Sequence, residues 1–184
     1  MNLYLIIGII VLVLLAIFVI SNYNSLVSLR NKVKDQWAQV DVLLIRRADL
    51  IPNLVETVKG YASHESETLE NVVAARNKVV AAKSAEDEIK SNGELSAALG
   101  RLLAISESYP ELKANTNFVN LQEQLSETED KIQYARQFYN DSVLNYKNKL
   151  EMFPSNIIAS IFGFKQEAFF EAEDAKKEVP KVEF

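Results

Sequence analysis

From Leu3 to Ile20 the chain runs through eighteen consecutive residues without a charged side chain, most of them large and aliphatic. Nothing else in the sequence limits its fold so strongly. A helix rising ~1.5 Å per residue reaches just across a hydrocarbon core over this length, so the segment is expected to span a membrane. A cleaved signal peptide is the rival reading. It calls for basic residues before the apolar run and a small-x-small site behind it, whereas this run follows Met1-Asn2 and leads into Ser21-Asn22-Tyr23-Asn24. The expected division is a retained anchor over residues 1–21 and a helical domain over 22–184. Arg30, Lys32 and Lys34 follow the span and nothing basic precedes it, with Asp35 among them. That bias puts the N-terminus outside and the domain in the cytoplasm.

The rest of the composition narrows the soluble part. Acids outnumber bases by 25 to 20, so the chain lacks the positive field that draws phosphate, and nucleic acid is not an expected partner. There is no cysteine, which excludes disulfides and thiolate metal sites and leaves apolar burial to hold the core. Five glycines and four prolines are too few turn residues for a many-stranded sheet. The expected fold class is all-α, an N-terminal transmembrane helix followed by a helical bundle.

Apolar spacing places the helices. Leu26, Leu29, Val33, Trp37, Val40 and Leu44, then Ile51, Leu54 and Val58, alternate at steps of three and four along one helix face, with few linker signals between it and the span. Pro52 removes the hydrogen bond to the Ala48 carbonyl, a defect of ~3 kcal/mol in a helix interior, so a kink or a restart is expected there. Leu69, Val72 and Val79 resume the pattern before the polar stretch from Ser84 to Gly93, which reads as a loop. Ser91-Asn92-Gly93-Glu94 has capping-box spacing and is expected to open a helix through Leu95, Leu99 and Leu102 that ends at Tyr109-Pro110. From Phe118 through Leu125, Ile132, Tyr139 and Tyr146 to Leu150 a heptad, coiled-coil-like seam continues for about nine turns and stops before Pro154. Ser155 is expected to cap a short helix ending at Gly163, and the apolar patch from Ile157 to Phe164, too short to cross a bilayer, to cap one end of the bundle.

Catalytic chemistry finds little support. His64-Glu65 begins like a zinc-protease helix, but that site needs a second histidine at position 68, which is threonine, and His64 is the only histidine in the chain. The phosphate-binding, dinucleotide and nucleophile-elbow motifs are missing. The expectation is a protein that is not an enzyme and holds no metal or cofactor. One polar cluster stands out: Arg46, Arg47 and Asp49 close to Pro52. Arg47 falls on the apolar seam between Leu44 and Ile51, and Arg76 falls in step with Leu69 and Val72. A buried guanidinium needs a carboxylate, for which Glu65 and Glu129 are the candidates. The plainer reading is a set of exposed pairs, Arg46 with Asp49 and Glu56 with Lys59. A structural role for these residues is favoured over ligand binding. Phe169-Phe170 is a candidate docking patch, since two adjacent rings on a helix cannot both face inward.

Several runs stand in order along the chain: Arg46-Arg47-Ala48-Asp49-Leu50-Ile51-Pro52-Asn53-Leu54-Val55, Val58-Lys59-Gly60-Tyr61-Ala62 with His64-Glu65 after it, Ala75-Arg76, Tyr109-Pro110-Glu111-Leu112-Lys113-Ala114-Asn115, Ala135-Arg136, Phe153-Pro154, and Phe162-Gly163-Phe164 followed by Phe169-Phe170-Glu171. In these the chain resembles LemA family proteins from Asn22 to Phe184. The resemblance implies a bacterial membrane protein with an anchored, outward N-terminus and a bundle of long antiparallel helices. It carries no biochemical activity with it, but it does imply a partner in the cell envelope. The expected function is a membrane-anchored scaffold or adaptor of the bacterial cytoplasmic membrane, in contact with the lipid bilayer and with a second copy or another envelope protein. The alternatives are a self-assembling, membrane-organising lattice and, behind it, a ligand sensor or hydrolase built on the stretch from Arg46 to Glu65.

Overall fold

The computed structural model describes residues 3–170, which form six helices and no strand: α1 Leu3–Lys59, α2 Ser66–Ala81, α3 Ala85–Ser106, α4 Pro110–Lys113, α5 Thr116–Glu151 and α6 Ser155–Ile161. The expected bundle boundary at residue 184 lies outside the described residues. The fold class is all-α, with a long apolar N-terminal helix whose hydrophobic stretch near the N-terminus is entirely unburied by protein. That exposure is what a lipid-facing span requires, because a core helix of the same composition would be covered.

α1 leaves the apolar stretch without a break and passes through Pro52 to Lys59. The expected restart at Pro52 does not occur, and the reason is local. The Pro52 ring points to solvent, while the residue whose carbonyl it leaves without a partner, Ala48, is fully buried. Arg76 of α2 supplies the missing donor, its Nε lying 3.4 Å from the Ala48 carbonyl oxygen. The bond is long, but it spares a buried backbone acceptor from going unsatisfied.

The described chain divides into two compact units. Residues 38–137 and 170 form the first. Its core takes Ala48, Ile51, Leu54 and Val58 from α1, Leu69, Val72 and Val79 from α2, Leu95, Leu99 and Leu102 from α3, Leu112 from α4, and Phe118, Leu121 and Leu125 from α5. α2 and α3 pack as a hairpin joined at residues 82–84, with Lys78 Nζ 2.5 Å from Glu94 Oε2. The expected loop from Ser84 to Gly93 is helix instead. Ser84 is the N-cap: its side-chain oxygen accepts from the Asp87 amide at 3.1 Å, and Glu86, Asp87 and Glu88 load the first turn with negative charge that suits a helix N-terminus. Ser91 therefore lies inside α3, donating to the Asp87 carbonyl at 2.7 Å, and caps nothing. α3 ends at Ser106, and Pro110 opens α4 at a position where its missing N–H costs nothing. Asn115 then starts α5, its Oδ1 accepting from the amides of Asn117 and Phe118 at 2.9 and 3.1 Å.

Residues 3–37 and 138–169 form the second unit. Here α1 and the end of α5 run antiparallel, since Trp37 meets Tyr139 at 5.3 Å between ring centroids while Tyr23, earlier on α1, meets Phe162 beyond the end of α5 at 4.8 Å. Leu26, Val33, Tyr139, Val143 and Tyr146 are buried between them. α5 ends at Glu151, ahead of the cis bond between Phe153 and Pro154. Ser155 does not cap α6, because the N-cap position falls on Pro154; its hydroxyl instead donates to the Lys149 and Met152 carbonyls at 2.6 and 2.8 Å and closes the end of α5. Gly163 adopts a left-handed φ of +69°, with its own amide on Ser160 and that of Phe164 on Ala159, which ends α6 in a Schellman turn that any side chain at 163 would strain. The following segment carries no regular structure and is tied back by Tyr139 Oη donating to the Ala168 carbonyl at 2.8 Å. The stretch from Ile157 to Phe164 is only half used as packing: Ile158 and Ala159 are buried, whereas Ile157, Ile161 and Phe162 face outward.

Candidate functional site

Heptad geometry carries Arg47 into the core because it shares a face with Val40, Leu44, Ile51 and Leu54. Its side chain is 6% exposed, and the fork of the guanidinium meets two other helices: Nη1 lies 3.1 Å from Glu129 Oε2 on α5, and Nη2 donates to Ser96 Oγ on α3 at 2.8 Å. The structure thus pairs Arg47 with Glu129. Glu65, the other candidate carboxylate, serves elsewhere and accepts a hydrogen bond from Tyr109 Oη at 2.9 Å.

Ser96 extends the polar layer along α3. Its hydroxyl donates to the Asn92 carbonyl at 3.0 Å, and the buried Asn92 side-chain amide donates to the Glu88 carbonyl at 3.0 Å. Glu88, Asn92 and Ser96 stand at successive four-residue steps, one polar row beside the apolar row of Leu95, Leu99 and Leu102. Burial, with the Asp41 charge adding to it, holds the Glu88 carboxyl above the usual carboxylate range. Reading the sequence alone missed this row, because Glu88 and Asn92 fell in the stretch from Ser84 to Gly93 that reads as a loop. The signal that could have found it is the four-residue repeat of short polar side chains in phase with leucines.

Arg46, next to Arg47, points outward, as does Asp49, and among the described residues neither the Arg46–Asp49 nor the Glu56–Lys59 ion pair forms. Glu127 is bonded by Lys131 one turn on, which holds its carboxyl below the usual range, with Arg46 contributing more weakly. Around the turn between α1 and α2 a second set of contacts forms. His64 is exposed, Tyr61 Oη accepts from Asn115 Nδ2 at 2.9 Å, and the Glu65 hydrogen bond pushes the Tyr109 hydroxyl above its ordinary value. Among the described residues no group of three or more histidine, aspartate or glutamate side chains converges as metal ligands. An open groove of about 500 Å³ lies between α2 and α3, lined among others by Glu67, Asn71, Lys78, Glu94, Ala98 and Arg101, and by no residue of the stretch between Arg46 and Glu65.

Phe169 and Phe170 do not sit on a helix, so the expected opposition of their rings has another origin. Phe170 is buried under the Arg136 guanidinium, 4.9 Å from the ring centre, and Phe169 is half-buried with Lys147 Nζ 5.9 Å away. The exposed aromatic rings of that part of the chain are Phe153 and Phe162.

Taken together, these contacts interlock helices. Arg47 and Arg76 bond across to neighbouring helices, and Glu65 and Glu129 are both engaged. A long apolar N-terminal helix joined to such helices defines a membrane-anchored, all-helical protein. The chain belongs to the LemA family, whose family model matches residues 36–184. It is also similar to two proteins of Paramagnetospirillum magneticum, "Magnetosome protein MamQ 1" and "Magnetosome protein MamQ 2", each 25% identical over 179 residues that cover 83% of this chain and 66% of the relative. "Protein LemA" of Metamycoplasma hominis is 24% identical over 157 residues, covering 84% of this chain and 71% of that protein. The chain therefore spans just under two thirds of the MamQ proteins it resembles, and none of these names states a reaction.

Proposed function

We propose that the chain is a scaffold or adaptor of the bacterial cytoplasmic membrane, single-pass, with its N-terminus outside and its helical domain in the cytoplasm. The observation that carries this reading is α1, which continues from the apolar stretch to Lys59 as one helix. Arg30, Lys32 and Lys34 behind the span support the orientation. The engagement of Arg47, Glu129, Arg76 and Glu65 in contacts between elements supports a role without catalysis, because a working acid, base or nucleophile has to reach a substrate. The partner in this reading is another envelope membrane protein.

A second reading, self-assembly into a lattice, is favoured by Val73 and Val80, which are exposed one heptad apart on α2 and offer an apolar ridge to a second copy. Crosslinking in intact membranes separates the two. An adaptor gives one discrete heterologous product that survives Val73→Lys with Val80→Lys. A lattice gives a ladder beyond the dimer that the same pair of changes removes. Finding neither product would sink both readings.

A further inference from the structure

Among the described residues, the end of the second unit carries an outward apolar surface. From Met152 to Phe164 the chain has thirteen consecutive residues without a charge, bounded by Glu151 and Lys165. Within them Met152, Phe153, Ile157, Ile161 and Phe162 are between 49 and 79% exposed. α6 divides cleanly: Ser155, Ile158 and Ala159 face the protein, while Ile157 and Ile161, four residues apart, share the outer face. Five large apolar side chains gathered on one tip are a surface that water disfavours.

The position of the tip along α1 says what covers it. The apolar run ends at Ile20, and Tyr23 follows within one helical turn, ~4.5 Å further along the axis. Tyr23 is the residue on which the tip rests, its ring centroid 4.8 Å from that of Phe162 and 5.6 Å from that of Phe164. A tyrosine just past the end of a span sits at the level of lipid headgroups. Phe162, packed on it, is at the same level, which brings the tip beside the end of the span. The cationic groups are placed to match: Arg30 stacks on Phe164 at 5.2 Å, on the side of Tyr23 away from the span, and exposed Lys165 follows the tip, where its ammonium can reach anionic headgroups while the apolar side chains enter the boundary.

We infer that the tip formed by residues 152–164 is a second membrane contact, in which Phe153, Ile157, Ile161 and Phe162 insert shallowly into the headgroup and acyl boundary of the same bilayer that the N-terminal helix spans. This inference rests on the reading of residues 3–20 as a membrane span. A single helix alone leaves rotation about its own axis unconstrained; a second, off-axis insertion fixes which face of the protein is turned to the membrane and which to the cell interior.

The absence of cysteine makes the test direct. Full-length chains carrying Ile161→Cys, Leu12→Cys or Tyr134→Cys are labelled with an environment-sensitive fluorophore and reconstituted in phosphatidylcholine–phosphatidylglycerol vesicles. Nitroxide lipids with the spin label near the headgroup or deep in the chain, and aqueous iodide, serve as quenchers. The expected result at 161 is quenching several-fold stronger by the shallow lipid than at 134, with protection from iodide, while the label at 12 answers to the deep lipid. Iodide quenching at 161 equal to that at 134, with the label at 12 still deep, overturns the inference and leaves the anchor standing. Protection at 161 without lipid quenching, together with a disulfide-linked dimer of the unlabelled Ile161→Cys chain, assigns the tip to a second copy and overturns it equally. A label at 12 that no lipid quenches removes the anchor itself.

Discussion

Arg47 shows how much one side chain can commit the surrounding helices. It is buried on the seam of α1, and its charge is balanced by Glu129, whose side chain is 34% exposed, so the pair is screened on one side only. Removing one member of a fully buried pair costs several kcal/mol, and the partial exposure of Glu129 reduces that, so Arg47→Ala is expected to destabilise the fold by about 2–3 kcal/mol. A double-mutant cycle with Glu129→Gln, followed by chemical denaturation of the full chain in micelles, should return a coupling of about 1 kcal/mol. A cycle with no coupling would mean that the loss comes from packing of the arginine stem and the bond to Ser96. Tyr139 makes a different commitment, to pH. Burial, with the Glu167 charge adding to it, pushes its hydroxyl from 10.0 up to about 12. The unfolded chain then gives up this proton before the folded one does, so the stabilisation is complete below pH 10 and declines as pH rises toward 12. Ionisation would also remove the donor to the Ala168 carbonyl. Tyr139→Phe should cost about 1 kcal/mol at neutral pH and flatten this part of the alkaline decline, read as the difference between the two proteins' denaturation midpoints across that range.

At the scale of elements, the decisive contact is the one that lets a proline stay inside a helix. Pro52 and Arg76 lie on different helices and meet at a single acceptor, the Ala48 carbonyl, which Pro52 has no N–H to reach and to which Arg76 donates. Arg76→Met should therefore cost about 1 kcal/mol beside Pro52 and clearly less in a Pro52→Ala background, where the backbone amide at 52 can take over the acceptor. Equal costs in both backgrounds, measured by thermal unfolding, would remove Arg76 from the account of why α1 continues. The cap of α3 offers a second comparison. Ser84→Ala should lower stability by about 1 kcal/mol because it strips the acceptor from the Asp87 amide, whereas Ser91→Ala, in mid-helix, should be neutral or slightly stabilising. These two sites also mark where sequence reading succeeded and where it failed. The seams of α1 and α5 were legible because apolar residues repeat over many turns, and a long period averages out local exceptions. The start of α3 was not, because two serines each followed by an acidic residue three places on compete as caps, and the choice depends on whether the residues between them find a neighbouring helix to pack on. Arg47 and Glu129 were legible as a charge on an apolar seam and a carboxylate within its reach. Asn92 and Ser96 were not, since one short polar side chain carries no sign of burial and only the four-residue phase of the row with the leucines marks it.

For the molecule as a whole, the sequence made the anchor plain and left the end of the second unit ambiguous. An uncharged run of eighteen residues has few soluble uses, but the shorter run after Met152 can pack against protein or face outward, and only the position of Phe162 on Tyr23 separates the two. In the proposed reading α1 joins the anchor to the rest of the chain as one unbroken helix, and that has a geometric consequence. Each residue added to an α-helix turns everything beyond it by ~100° and advances it ~1.5 Å. Two alanines inserted after Ile20 would rotate the protein beyond the span by about 200° relative to the anchor, while seven would return it to within about 20° of its starting direction at the expense of ~10 Å in height. If the domain presents a fixed face to a partner in the same membrane, the short insertion should abolish the discrete crosslinked product and the long one should restore a measurable part of it, at equal protein levels and unchanged helical circular dichroism. A partner reached through a flexible joint would tolerate both insertions alike. Loss of the product in both would show that height above the bilayer, and not rotation, is what the rigid helix sets.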